Sequence, residues 1–90
     1  MAIQILSEPP PEPEEVSGRL EAAIREHFPE ADIQVTAASP GHFEVTVVSE
    51  RFEGLPRVKQ QQRVYAAIKQ LMAGDAAPVH AIDRMVTRTP

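Results

Sequence analysis

The chain contains no cysteine, so its fold rests on apolar packing and hydrogen bonding with no covalent or thiolate staple. Disulfide frameworks, zinc ribbons and iron–sulfur clusters held by one chain's own thiolates are excluded, and so is a cysteine nucleophile. The restriction matters because the chain is short. Of its 90 residues, Met1 to Glu15 hold four of the nine prolines and four of the thirteen acids. That leaves a foldable body of about 75 residues, one domain with a net stability of about 5 kcal/mol.

The remaining composition narrows the class. The formal net charge is −4, whereas nucleic-acid-binding domains are usually basic. With no tryptophan, one tyrosine and three phenylalanines, platforms for stacking single-stranded bases are sparse. The longest apolar runs fall far short of the ~20 residues of a membrane span. Met1 to Leu6 lacks both the basic start and the long apolar stretch of a secretory signal. These features predict a soluble, cytoplasmic protein. Residues 1–15 read as a flexible, acidic, proline-rich lead-in, and residues 16–90 as the folded domain.

Periodicity then orders the body. Val16, Leu20, Ala23, Ile24 and Phe28 recur at helical spacing, with Arg19, Glu21, Arg25 and Glu26 opposite. Pro13 suits the first turn of that helix, Glu14 and Glu15 suit its positive end, and Pro29 ends it. Ile33, Val35 and Ala37 alternate with polar residues as a half-buried strand, and Phe43, Val45 and Val47 repeat the pattern after the turn residues Ser39-Pro40-Gly41-His42. Val58, Val64, Tyr65, Ile68, Leu71 and Met72 form a second helical stripe. The apolar gap at Gln60 to Gln62 predicts a short helix turning into a longer one there. Val79 to Thr87 has the β-branched content of a third strand.

The expected order is α-β-β-α-α-β, an α+β fold with a three-stranded mixed sheet covered by helices on one face. The helical connection between strands two and three predicts that they run parallel. His42 opens strand two and His80 opens strand three, so both belong at one end of the sheet, within one or two strand spacings of ~4.8 Å.

No enzyme motif is present: no P-loop, no G-x-S-x-G, no H-E-x-x-H and no G-x-G-x-x-G after a strand. Ser49 has no histidine nearby in sequence to activate it and suits the cap of a turn. His27 suits the negative end of the first helix. His42 and His80 are the candidate metal ligands, because neutral imidazole binds transition metals near pH 7. Two imidazoles are fewer than the four ligands of a closed site, so a metal there would be shared with another molecule. A half-buried structural histidine is the alternative at His80. Arg51 to Gln70 holds five basic residues against one acid. Arg57, Lys59 and Arg63 are therefore a candidate nucleic-acid-facing set, with a solvated helix face as the alternative.

Three ordered segments carry a resemblance: Val48-Ser49-Glu50-Arg51-Phe52-Glu53-Gly54, then Val58-Lys59-Gln60-Gln61-Gln62-Arg63-Val64-Tyr65, then Val79-His80-Ala81. Together they resemble the BolA family, and within it the IbaG-like bacterial branch. The resemblance implies a fold like the second type of KH domain. It also implies partnership with monothiol glutaredoxins, in which a [2Fe-2S] cluster is bridged by the glutaredoxin cysteine, glutathione and ligands of the BolA-like chain. By position His80 matches the family's histidine before alanine. His42 matches the ligand of the loop between strands one and two, which is cysteine in some members. Imidazole ligation raises the cluster potential, and it weakens as the rings protonate below about pH 6.5. The implied role is iron–sulfur trafficking or iron and stress regulation, without catalysis. Many members carry Arg-His-Arg where this chain has Gln60-Gln61-Gln62. That replacement removes positive charge from the helix held to approach DNA and weighs against a transcriptional regulator. A KH-like nucleic-acid-binding regulator remains the alternative function, and a weak homodimer of the free chain is left open.

Overall fold

The computed structural model describes residues 11–90 of the chain. Most of the expected lead-in, 1–15, lies outside them. Helix α1 spans Pro13–His27, so the last three lead-in residues form its first turn. Proline there gives up no helical hydrogen bond, and Glu14 and Glu15 lie at the positive end of the helix dipole. Val16, Leu20 and Ile24 are buried along one face. Strands β1 (Asp32–Ser39) and β2 (His42–Val48) follow, then a 3-10 turn at Glu50–Phe52, helix α2 (Arg57–Met72) and strand β3 (Ala81–Arg88).

The sheet order is β1-β2-β3, with β1 antiparallel and β3 parallel to β2. The central strand turns Phe43, Val45 and Val47 into the core, where each is at most 1% exposed. Val16, Leu20 and Ile24 of α1 and Val64, Ala67, Ile68 and Leu71 of α2 share that core with them. The alternate residue Glu44 is exposed, while Thr46 and Val48 are half-buried. This is an α+β architecture with a three-stranded mixed sheet. No helix among the described residues is long and apolar enough to cross a membrane.

One expectation is corrected. The helical stretch does not break at Gln60 to Gln62; α2 runs through them without interruption. The gap in the apolar stripe is filled by polar side chains that turn back onto the fold. Gln60 Nε2 donates to the Leu55 carbonyl at 2.8 Å, and Gln61 Nε2 donates to the Met85 carbonyl on β3 at 3.1 Å. The short helical piece lies earlier, at the 3-10 turn, where Ser49 Oγ accepts the Arg51 N–H at 3.0 Å. Ser49 is thus a cap.

The pairing of β2 with β3 is interrupted once. Phe43 lies opposite Ile82, but Glu44 lies opposite Arg84, leaving Asp83 as an extra residue on β3. Without this bulge the alternation would turn Arg84 into the core and Met85 away from it. With it, Met85 packs against the core and Thr87 is buried. Arg84 instead stands opposite Glu44.

Candidate functional site

At one edge of the sheet the β1–β2 turn meets the segment entering β3. Gly41 makes the junction: its carbonyl accepts the backbone N–H groups of both His80, at 2.8 Å, and Ala81, at 3.1 Å. Its φ of 79° is in the left-handed region that glycine enters freely. The parallel ladder then starts with His42 opposite Ala81. His42 and His80 are consequently neighbours, with ring centroids 6.5 Å apart and planes at 80°. His80 is exposed and His42 half-buried.

The two rings are held differently. The His80 ring lies against Gly41, so closely that a Cβ at that position would meet Nδ1 at 2.6 Å and Cγ at 2.8 Å. His42 is held through Nδ1, which is 2.9 Å from Asp83 Oδ1. Asp83 is the site residue that sequence reasoning missed. Its signal was legible: Asp83-Arg84 places two polar residues in succession between inward-facing Ile82 and Met85, where strict alternation allows one. That pattern marks a bulge.

Among the described residues, no group of three or more His, Cys, Asp or Glu side chains could hold a metal ion. The edge offers a partial donor set of two imidazoles and no thiolate, which suits a metal completed by another molecule. Beside it lies a cleft of about 650 Å³, lined by Pro13, Val16, Pro40, Phe43, Pro78 and His80 among others. It puts apolar surface next to the His80 ring.

The other candidates are not brought to this edge. His27 ends α1, next to Phe28. Arg57, Lys59 and Arg63 are all exposed on α2, but they do not form one face. At 3.6 residues per turn, Lys59 and Arg63 are neighbours while Arg57 is about a third of a turn or more from both. Arg63 instead lines a pocket with Arg51, Glu26 and His27. At the end of β2, Glu30 Oε2 accepts Ser49 Oγ–H at 2.7 Å, and Glu30 Oε1 pairs with Arg51 Nε at 3.3 Å. The Ser49 hydrogen bond, with smaller help from backbone N–H groups and Arg51, lowers the Glu30 pKa. This cluster ties the α1–β1 connection to the 3-10 turn.

Known proteins share both the sequence and the arrangement. BolA-like protein 1 of Bos taurus is 39% identical over 88 residues, covering 83% of this chain and 62% of that protein. The chain spans less than two thirds of the length of that relative and of its human counterpart. An uncharacterized protein in the rpoN-murA intergenic region of Acinetobacter guillouiae is 33% identical over 66 residues, 73% of this chain and 76% of that protein. The crystal structure of a Bol-like protein from Babesia bovis superposes with a TM-score of 0.70 at 28% identity, covering 82% of this chain and 84% of that one. The sequence model of the BolA-like protein family matches residues 21–90, and the chain belongs to that family.

Proposed function

We propose that this chain is a non-enzymatic partner of a monothiol glutaredoxin, and that it donates His42 and His80 to a [2Fe-2S] cluster shared with the glutaredoxin and glutathione. The observation that carries the reading is the pair of imidazoles side by side at one sheet edge, 6.5 Å apart, in a chain with no cysteine. Membership of the BolA family supports a BolA-type role, and the IbaG-like segments read from the sequence support the bacterial branch. Bound there, the cluster supplies a redox-active, transferable iron–sulfur unit. The chain's own residues do the rest. Gly41 fixes the approach of β3 to the turn, so the backbone sets how far apart the two rings stand. Exposure of His80 leaves it free to meet a ligand from outside, and the adjoining cleft gives a partner apolar surface to cover. The role is iron–sulfur trafficking or iron and stress regulation.

The test is to mix the chain with cluster-loaded glutaredoxin and record visible absorption and circular dichroism. The spectrum should change on mixing, and His80→Ala should abolish most of the change. A spectrum that does not respond to the wild-type chain, or a His80→Ala variant that behaves as wild type, overturns the reading.

A further inference from the structure

Asp83 stands where the bulge leaves a residue without a partner on β2. In an unbroken ladder it would face Glu44, and two carboxylates directly opposite each other repel. The bulge gives Glu44 the cation Arg84 as its partner instead. Asp83 is freed to turn to His42, where Oδ1 lies 2.9 Å from Nδ1. Both side chains of the pair are 42% exposed. Such solvated pairs contribute little to stability, so holding the fold together is a poor account of this one.

Its effect on the ring is specific. A carboxylate oxygen only accepts, so the imidazole nitrogen facing it carries the proton. In the neutral ring the lone pair is then on Nε2, which makes no hydrogen bond to another described residue. This is the arrangement in which a carboxylate orients a metal-binding histidine from behind. We propose that Asp83 is a positioning residue for His42: it fixes the Nδ1–H form of the ring and so presents Nε2 as the ligand nitrogen. The inference rests on His42 being a ligand, as proposed above. Among the described residues no carboxylate pairs with His80 as Asp83 does with His42; the His80 ring lies against Gly41. The two histidines are therefore unequal, one fixed in its proton position and the other only in space.

The experiment begins on the free chain, without iron or partner. Long-range nitrogen–proton NMR spectra, recorded at about pH 8 where imidazoles are neutral, report which ring nitrogen carries the proton. Wild type should show His42 protonated at Nδ1. Asp83→Ala should release the ring to the Nε2–H form that free imidazole side chains prefer, and Asp83→Glu should restore Nδ1–H. Binding to cluster-loaded glutaredoxin should weaken about 10-fold or more in Asp83→Ala and recover in Asp83→Glu. An unchanged ring form in Asp83→Ala overturns the positioning role, whatever the binding does. So does a changed ring form with wild-type binding. His42→Ala separates the two layers: if it leaves the mixed spectrum unchanged while His80→Ala abolishes it, the ligand reading of His42 fails and this inference with it, while the shared cluster stands.

Discussion

At Gly41 a side chain would meet two obstacles of different origin. The φ of 79° costs an L-residue about 1–2 kcal/mol, and the space a Cβ needs is filled by the His80 ring, 2.6 Å away at Nδ1. Gly41→Ala is expected to lower stability by about that backbone cost in chemical denaturation and to shift the His80 ring resonances. Gly41→Asn separates the two effects, because asparagine tolerates the left-handed region while keeping the Cβ. It should recover part of the stability and none of the His80 environment. Gly18 is the contrasting case. It lies inside α1, and a Cβ there would meet nothing within 4 Å. Gly18→Ala should raise stability by about 0.5–1 kcal/mol in the same measurement. At this scale the placement of His42 beside His80 was legible, since His42 opens β2 and His80 directly precedes β3. The sequence was silent on what holds each ring. Gly41 reads as a turn residue, and only the approach of β3 shows that it is also the surface under His80.

Among the elements, α2 shows how a side-chain partner replaces an apolar contact. β3 is an edge strand, and its Met85 carbonyl is met by Gln61 Nε2 from α2 at 3.1 Å. Gln61→Ala removes that donor and leaves a partly buried carbonyl unpaired, at a cost of about 1 kcal/mol. Gln62→Ala, at an exposed position of the same run, should cost far less. Equal losses in the two variants would show that helix propensity, and not the bond to β3, sets the effect. Periodicity alone could not reveal this, because it scores glutamine as a gap. The same blindness produced the expected helix break, whereas the bulge that keeps Arg84 out and Met85 in did leave a mark, the two successive polar residues Asp83-Arg84. The Glu30 cluster links the α1–β1 connection to the end of β2 in a comparable way. Because folding lowers the Glu30 pKa, its ionised form favours the folded state. That contribution is fully present above the ordinary glutamate value and is lost as pH falls from there through the folded value. Thermal unfolding followed through that acidic window should show a smaller loss of stability in Glu30→Gln than in wild type.

Across the whole molecule, charge is divided more than it is concentrated. Residues 1–30 hold seven acids and two bases, whereas Arg51 to Gln70 hold five bases and one acid. In sequence that contrast resembles a basic binding face. The fold disperses it: Arg57 points from a different side of α2 than Lys59 and Arg63, Arg51 is engaged by Glu30, and two of the glutamines between them turn inward. Only Lys59 and Arg63 remain as adjacent cations on the helix. A duplex contacting both would have two phosphates neutralised, so log affinity should fall with log salt at a slope no steeper than about −2. Binding measured by fluorescence anisotropy on a short duplex should therefore be weak even at about 50 mM salt, with that shallow dependence. A slope of about −5 or steeper would mean that five or more phosphates are contacted, more than Lys59 and Arg63 alone can neutralise. Such a result would restore the nucleic-acid role. The histidine edge makes the opposite demand, since its binding should depend on the cluster and lose its spectral change with His80→Ala. The pair of measurements therefore decides between cluster-dependent binding at the histidine edge and salt-dependent binding through the basic residues of α2.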